Sequence, residues 1–253
     1  MQSQCDLNAF SVIHRDNALL AVHKPAALLV HRSPIDRYET RFALQMARDC
    51  VGQRVHAVHR LDKATSGLLL FALDGDSARH LSRQFEQREV EKHYLALVRG
   101  WPPVQGCIDK PLRYKADALA DGPALRDAAP QPARTLFRRL ATATLDQPLG
   151  RFPQQRYALL ALQPETGRKH QIRRHLNHIG HPIIGDVNHG DRHHNHLFHA
   201  WRGYHRLYLA AVGLRITHPQ SNQALELRAP LQADFQSTLA ALGLSVPVDA
   251  VSA

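Results

Sequence analysis

The apolar runs in this chain are the length of β-strands, and this limits the folds that are open to it. The clearest run, Leu68–Leu73, follows Gly67 and ends at the turn-forming sequence Asp74-Gly75-Asp76. A short continuous apolar run between turn signals is typical of a strand buried on both faces. No run approaches the roughly 20 apolar residues of a transmembrane helix. The run therefore predicts a strand over residues 67–73 in the interior of a globular domain.

Further strands are predicted at intervals along the chain, with few helices between them. Asp74 is expected to cap a helix in which Ala78, Leu81 and Phe85 share one face. A second helix is predicted over residues 167–179, capped by Thr166 and ended by Gly180. The predicted strands are two within residues 10–30 around Asp16-Asn17, and one each at 54–58, 67–73, 92–99, 134–140 and 156–162. This order favours an α+β fold with a mixed sheet over a βαβ series.

Charge and cysteine content restrict the class of protein. Lys and Arg total 32 against 22 Asp and Glu, a formal net charge of +10. Such an excess favours a polyanionic partner, but it does not distinguish RNA, DNA and anionic lipid. Cys5, Cys50 and Cys107 are widely spaced, which argues against a disulfide framework and a thiolate zinc site. The polar start of the chain lacks a signal-peptide pattern, so a cytoplasmic location is expected.

One acidic residue lies in a short basic segment between two predicted strands. Asp62 has Arg60 and Lys63 as close neighbours, and nearby positive charge favours an ionised carboxylate. A carboxylate at the rim of a sheet could serve as a nucleophile or stabilise a developing positive charge. The alternative is that Asp62 caps a turn with Thr65 and Ser66, which is a common role for aspartate.

The second predicted helix has a cationic face. On a helical wheel, Ile172, Leu176 and Ile179 form an apolar stripe that is expected to face the sheet. The opposite face carries His170, Arg173, Arg174 and Asn177. A cationic face near a helix N-terminus suits an anionic ligand. A solvated charged face is the alternative.

Histidine is abundant, with 18 residues in the chain. The cluster Asp191-Arg192-His193-His194-Asn195-His196 resembles a metal site in composition. We interpret it instead as a surface loop, because the segment is polar and has no evident framework to fix ligand geometry. No metal is expected there.

The segment 59–70, HRLDKATSGLLL, resembles the signature HRLDxxTSGLLL of the RluA-type pseudouridine synthase family. Residues 17–31 are similar to that family's opening motif, DxxLLVVNKPxGLLVH, and depart from it at His23 and Ala27. Residues 92–100 resemble KxYxAxVxG, and residues 162–176 resemble the TGRxHQ(I/L)RxHL block, followed by HPIIGD at 181–186. The resemblance covers roughly residues 10–220.

The resemblance implies roles for individual residues. Asp62 matches the catalytic aspartate, and Arg60 matches an arginine that occupies the space left by a flipped-out base. Tyr94 matches the tyrosine that lies against the target uracil, and Arg173 matches an arginine that pairs with the catalytic aspartate. His59 and His170 are expected to be hydrogen-bonding scaffold. The residues expected to contact RNA are Lys92, Arg168, Lys169, His170 and Arg174.

The same resemblance implies a pseudouridine synthase fold, a mostly antiparallel central sheet flanked by helices and loops, with a catalytic cleft between two halves. We expect a catalytic domain over residues 10–240 with a divide near 113–133, no N-terminal S4 domain, and a tail at 241–253. Residues 115–132, rich in Ala, Asp and Pro, are the predicted loop between the halves. Neither a cofactor nor an obligatory protein partner is expected, and the chain is expected to be a monomer.

The RNA target is suggested by finer resemblances. Segments 30–33, 84–87, 150–157 and 189–191, with the paired Arg173-Arg174, are similar to the branch of the family that acts on uridine 65 of tRNA. A sister synthase that acts on ribosomal RNA or on another tRNA position is the alternative within the family. A non-catalytic RNA-binding module is the alternative from a different class.

Overall fold

The computed structural model describes residues 11–32, 38–114 and 129–247. These residues form two compact units, and each is assembled from separate stretches of the chain. The first unit contains residues 11–32, 38–92, Tyr114, Ala129 and 211–230, and the second contains 93–113, 130–210 and 231–247. Most of the predicted loop at 115–132 lies outside the described residues.

Strands and helices alternate irregularly along the chain. The strands are β1 (Ser11–Arg15), β2 (Leu19–Lys24), β3 (His56–Ala57), β4 (Ser66–Ala72), β5 (Glu91–Arg99), β6 (Gln105–Asp109), β7 (Arg134–Leu145), β8 (Gln155–Pro164), β9 (Leu209–Thr217) and β10 (Ala224–Arg228). The helices are α1 (Ala43–Val51), α2 (Gly75–Gln87), α3 (Gln171–His178), α4 (Arg192–Arg202) and α5 (Ala233–Ala241).

The first unit is built around β2 and β4. Strand β2 pairs antiparallel with β1 on one side and with β4 on the other, while β3 adds to β4 and β10 pairs with β9. Every residue of β4 is buried, as predicted for a continuous apolar run. Leu68 and Leu70 pack in a core that includes Leu19, Leu81 and Leu214. The strand that carries the signature sequence is therefore fixed by the core of the unit.

Helix α2 begins where the sequence predicts. The Asp74 carboxylate accepts the backbone N–H of Ser77 at 2.7 Å and the Ser77 hydroxyl at 2.7 Å. This N-cap satisfies one of the donors that a helix leaves unpaired in its first turn. Leu81 is completely buried on the inner face of the helix.

The second unit contains an antiparallel ladder in the order β5-β8-β7-β6. The predicted strands at 134–140 and 156–162 continue to Leu145 and Pro164 and form the long β7–β8 hairpin. Central residues of β8 such as Leu159 and Leu160 are fully buried. The strand-rich units with interspersed helices confirm the α+β class.

Two local predictions were wrong. Helix α3 begins at Gln171, four residues after the predicted start at 167, and its N-cap is His170 in a left-handed conformation, φ 54°. Thr166 does not cap the helix: its hydroxyl accepts the backbone N–H of Arg134 and donates to the Gln171 side chain. The strand expected over 54–58 is only His56–Ala57, because β3 pairs with the end of β4 alone.

Candidate active site

Asp62 lies in the loop that joins β3 to β4. Leu61 is buried with 7% of its surface exposed, whereas Asp62 is half-buried and Arg60 is exposed. The loop closes through its backbone, since the N–H of Thr65 donates to the carbonyl of Asp62 at 3.0 Å. The Leu61 side chain thus anchors the loop to the core, and the charged residues on either side of it remain at the rim of the sheet.

A buried lysine fixes this loop from beneath. Lys24, at the end of β2, has no exposed surface, and its Nζ donates to the carbonyls of Pro25 (2.8 Å), Leu28 (2.9 Å) and Lys63 (3.1 Å). Three acceptors match the three donors of an ammonium group. Burial lowers the pKa of Lys24 from 10.5 to about 7, and the charge of Asp62 opposes that shift. Lys24 therefore places positive charge near Asp62 and holds the backbone of the next residue.

His59 supports the loop as a neutral ring. Its Nε2 accepts the backbone N–H of Leu70 at 3.0 Å, and the ring stacks on Phe85 with centroids 4.8 Å apart. Burial, with a smaller contribution from the charge of Lys92, lowers the pKa of His59 to about 4. A ring nitrogen that accepts a hydrogen bond must be unprotonated, so the geometry and the electrostatics agree. The predicted scaffold role is confirmed for His59.

The glycine of the signature sequence is required by close backbone packing. Gly67 has φ +111°, and a Cβ at this position would lie 2.0 Å from the carbonyl oxygen of Ala211 on β9. A side chain there would displace one of the two strands. Close packing against β9 thus explains the glycine at the second position of β4.

The two cationic neighbours of Asp62 in the sequence differ in their surroundings. The Nζ of Lys63 lies 3.0 Å from Glu39 Oε1, so its charge is partly compensated. The side chain of Arg60 is exposed, and its charge contributes to lowering the pKa of His31, after the larger effect of burial. Arg60 is therefore the more accessible cation of the loop.

Residues 92–94 lie on β5. Lys92 is half-buried in the first unit, where burial and then the charge of Arg88 lower its pKa from 10.5 to about 8. Tyr94 belongs to the second unit, is half-buried, and pairs with Leu162 on β8. Tyr94 is thereby held on a regular strand with a fixed register.

Arg173 on α3 is buried, with 4% of its surface exposed. Its Nε and Nη2 each donate to the carboxylate of Asp186 at 2.7 Å, a bidentate pair. Asp186 also accepts the backbone N–H groups of Asn188 and His189 at 3.0 Å. Although burial opposes it, the hydrogen bonds and charge of Arg173 hold the pKa of Asp186 below its usual range. The expected pairing of Arg173 with Asp62 stays a prediction.

The prediction that Arg173 lies on the polar face of its helix was wrong in one respect. Ile172 and Leu176 are buried, as expected, but Arg173 is buried with them because Asp186 supplies a carboxylate in the interior. Gln171 and His175 are also buried, and both hydrogen-bond to the Thr135 hydroxyl. The inner face of α3 is therefore a polar network as well as an apolar stripe.

The other cationic residues of this block are half-exposed. Arg174 donates through Nη1 to the carbonyl of Arg113 at 2.9 Å, and Arg168 donates through Nε to that of Pro132 at 3.3 Å. His170 lies 3.0 Å from His189, Nδ1 to Nε2. Lys169 is half-buried beside them in the sequence. All four side chains keep part of their surface exposed, which leaves them accessible to a ligand.

Comparison with known proteins identifies the family to which the signature segments belong. A family-wide sequence profile described as RNA pseudouridylate synthase matches residues 18–178, which include Asp62, Tyr94 and Arg173. The chain belongs to this family. The resemblance seen in its motifs is confirmed.

Individual relatives in this family are similar over most of the chain. A protein named tRNA pseudouridine synthase C from Vibrio cholerae is 45% identical over 232 residues, covering 92% of this chain and 95% of its own length. The protein of that name from Salmonella typhimurium is 46% identical over 232 residues, covering 92% and 89%. A Pectobacterium carotovorum relative of that name is 46% identical over 241 residues, and the chain spans 64% of its length.

Solved structures of the family share the fold. Human RNA Pseudouridylate Synthase Domain Containing 4 has a TM-score of 0.69 and 27% identity, with 94% of each chain covered. Human RNA Pseudouridylate Synthase Domain Containing 1 has a TM-score of 0.65 at 22% identity, covering 95% of this chain and 97% of its own, and shows the fold alone. The pseudouridine synthase fold expected from the motifs is confirmed.

Sequence reasoning missed the role of two buried residues, Lys24 in the first unit and Asp186 in the second. Lys24 was read only as part of a structural motif, and Asp186 only as the end of HPIIGD. A lysine inside an apolar strand-sized run was the available signal for Lys24, because a buried lysine needs several acceptors. An aspartate after Gly185 was a weak signal for Asp186, because aspartate commonly follows glycine in exposed turns.

The histidine-rich segment is a helix, so its prediction as a surface loop was wrong. The Asp191 carboxylate accepts the backbone N–H of His193 at 2.9 Å and caps α4. His194 and Phe198 are buried on its inner face, and the Tyr157 hydroxyl lies 2.9 Å from His194 Nδ1. The spacing of four residues between these two buried side chains was the missed signal.

The described part of the chain contains no group of three or more His, Cys, Asp or Glu side chains arranged to hold a metal ion. Cys50 and Cys107 are free thiols, and Cys5 lies outside the described residues. No helix among the described residues has the length and apolar character needed to cross a membrane.

Proposed function

We propose that the protein converts a uridine of tRNA to pseudouridine, and that the target is uridine 65. The observation that carries this proposal is the loop around Asp62, in which the family signature is intact and Lys24, His59 and Leu61 hold the backbone. Relatives named tRNA pseudouridine synthase C, 45–46% identical over about nine-tenths of the chain, support tRNA as the substrate. The finer resemblances at residues 150–157 and 189–191 support position 65.

The reaction breaks the bond between ribose C1′ and uracil N1 and forms a bond between C1′ and C5. All atoms of the nucleotide are retained except the C5 proton, which leaves as N1 regains one, so the chemistry requires no cofactor. Positive charge develops at C1′ as the base departs, as in glycoside hydrolysis, and a carboxylate stabilises it. Asp62 supplies that carboxylate. It either attacks C1′ or removes the C2′ proton, and both routes begin from the ionised form.

The protein contributes positioning to this reaction. Hydrogen bonds from Lys24 and to His59 hold the backbone on both sides of Asp62, so that the carboxylate needs little reorganisation. The target base must leave the helical stack to reach it. By resemblance to the family, Arg60 fills the vacated space, Tyr94 lies against the uracil, and Arg173 orients Asp62.

The surrounding cations are proposed to hold the RNA backbone. Lys92, Arg168, Lys169, His170 and Arg174 are half-exposed, and side chains of this kind bind phosphates without reading sequence. The excess of basic residues in the whole chain agrees with an RNA partner.

The test is tritium release from tRNA transcripts labelled with [5-³H]uridine, with ribosomal RNA as a second substrate. We expect release from a transcript with uridine at position 65 and none from a matched transcript with cytidine there. Release from both transcripts would refute position 65 and leave the activity standing. Release from ribosomal RNA alone would refute tRNA as the substrate. No release from any RNA would refute the proposed function.

A further inference from the structure

The first unit contains a cavity of about 630 Å³. It is not lined by any residue of the loop that joins β3 to β4 and carries Asp62, called the reaction loop below. It lies between the segment after β2, the helix α1 and the strand β3. Three arginines and two histidines line it, namely Arg32, Arg48, Arg54, His31 and His56. Among the described residues, no acidic side chain lines it. Its wall is therefore strongly cationic.

The arginines of this cavity differ in how far their charge is compensated. Arg48 donates to the carboxylate of its neighbour Asp49 at 3.1 and 3.2 Å. The guanidinium of Arg32 lies over the ring of Phe42, 5.6 Å from its centroid, and takes part in no ion pair among the described residues. Arg54 is exposed and likewise has no acidic partner within the described ranges. Two guanidinium groups thus remain available for an external anion.

The cavity has a rigid floor. Phe42 and Val55 are buried, with 2% and 6% of their surfaces exposed. The N–H groups of Ala43 and Leu44 donate to the carbonyls of Leu29 and Val30 at 2.8 and 2.9 Å. These bonds use the first donors of α1, so the side chains provide the anion-binding capacity. They also fix the backbone that leads into His31 and Arg32, which makes the cavity preformed.

The cavity lies close to the reaction loop. Strand β3 carries His56 and Ala57, and Asp62 is five positions after Ala57 in the chain. Even a fully extended chain of that length spans no more than about 18 Å. His31 also lines the cavity, and the charge of Arg60 adds to the effect of burial in lowering the pKa of His31. A nucleic acid that places one nucleotide at Asp62 would carry neighbouring phosphates to this distance.

We propose that this cavity binds a nucleotide of the RNA substrate other than the target uridine, with its phosphate held by Arg32 and Arg54. The volume is within the range of small-molecule sites and is larger than a lone phosphate requires. The cavity would fix the strand beside the everted nucleotide and so contribute to affinity and not to the chemical step. This inference rests on the proposed function, since it takes RNA as the substrate.

The experiment compares Arg32→Ala, Arg54→Ala and the double variant with a matched control, Arg83→Ala. Arg83 is an exposed arginine of the same unit whose Nε donates to Gln87 on its own helix. Affinity for an unmodified tRNA transcript is measured by fluorescence anisotropy at several salt concentrations, and tritium release gives kcat and KM. Thermal unfolding midpoints equal to that of the parent establish that the variants are folded.

We expect the single variants Arg32→Ala and Arg54→Ala each to weaken tRNA binding at least about fivefold. Each should also reduce the slope of log affinity against log salt concentration by about 0.7–0.9, which corresponds to the loss of one phosphate contact. The double variant should lose about twice that slope. KM should rise while kcat stays within about twofold, and Arg83→Ala should match the parent. Pocket variants with the parent slope and KM would overturn the proposal.

Two further outcomes separate this inference from the function on which it rests. If the parent protein forms pseudouridine and the pocket variants bind tRNA as the parent does, the cavity assignment alone fails. If the parent releases tritium from no RNA, the proposed function fails, and the anisotropy measurement still reports whether the cavity binds RNA. Titration with UMP tests whether the cavity binds a free nucleotide instead of a nucleotide of the RNA. UMP binding that is lost in Arg54→Ala, with unchanged tRNA affinity, would assign the cavity to a free nucleotide and overturn the proposal.

Discussion

The loop around Asp62 and the segment from Thr166 to Asp186 use their charged side chains in different ways. In the loop, Leu61 and the buried Lys24 bind the backbone to the core, and the half-buried Asp62 and exposed Arg60 lie at the rim. In the second segment, Arg173 is buried, and two of its nitrogens donate to the carboxylate of Asp186. The charged side chains of the loop thus remain accessible to solvent, whereas Arg173 and Asp186 form a buried ion pair inside the second unit.

The difference shows that a basic motif is not equivalent to a basic surface. Arg173 and Arg174 are adjacent in the sequence, yet one is buried in a bidentate ion pair and the other is half-exposed with a single carbonyl acceptor. A buried charge is tolerated only when it is paired and hydrogen-bonded. The position of Asp186 therefore decides which of the two arginines faces solvent.

The largest expected effect is on the chemistry at Asp62. We expect Asp62→Asn to lower kcat by on the order of 10³ or more, because an amide cannot stabilise the charge at C1′ or remove a proton. Affinity for tRNA should change little. Tritium release and anisotropy measure the two quantities, with Asp76→Asn on the exposed surface of α2 as the control. Comparable kcat values for Asp62→Asn and the parent would contradict the assignment.

The next effect distinguishes the two arginines of α3. Arg173→Ala leaves the Asp186 carboxylate buried without its partner, so we expect a loss of about 3–5 kcal/mol in the free energy of unfolding. Arg174→Ala should cost no more than about 1 kcal/mol. Chemical denaturation measures both. The double variant Arg173→Met/Asp186→Leu should be more stable than Arg173→Ala. Equal losses for Arg173→Ala and Arg174→Ala would contradict the description of a buried pair.

A smaller effect is expected in the pH dependence of stability. Lys24 has a pKa of about 7 in the folded protein and 10.5 in its ordinary state. Between these pH values the unfolded chain binds a proton at Lys24 that the folded chain does not. The free energy of unfolding therefore rises with pH over this range. We expect the difference in unfolding free energy between the parent and Lys24→Met to increase by up to about 1.4 kcal/mol per pH unit over this range. Parallel pH profiles for the two proteins would show that Lys24 does not titrate in this way.

The smallest expected effect concerns a half-exposed cation of the second segment. Arg168→Ala should weaken tRNA binding and reduce the salt slope by about 0.7–0.9, as for one phosphate contact. Arg228→Ala is the control, since Arg228 is exposed and hydrogen-bonded to Glu226. Anisotropy titrations over a range of salt concentrations provide the measurement. An unchanged slope for Arg168→Ala would assign that residue a structural role.

Local sequence patterns predicted much of the fold. The run at Leu68–Leu73 predicted a fully buried strand, and Asp74 predicted a helix N-cap that the structure confirms. The start of α3 could not be read in the same way, because a contact distant in the sequence, between Thr166 and Arg134, decides it. The helix over 192–202 had a local signal in the spacing of His194 and Phe198, and the distant contact between His194 and Tyr157 holds its buried face. Local propensity is weak enough for such contacts to override it.

The sequence by itself determined the α+β class and the family, and it predicted that the loop around Asp62 is reactive, because an unbroken motif and strand-sized apolar runs are local properties of the chain. Only the tertiary structure decided that Lys24 binds the carbonyl of Lys63, that Arg173 is paired with Asp186, and that arginines from three segments line one cavity. Each of these depends on residues that are far apart in the sequence. Burial makes the choice of partner obligatory there, since an unpaired charge or donor inside the protein is costly.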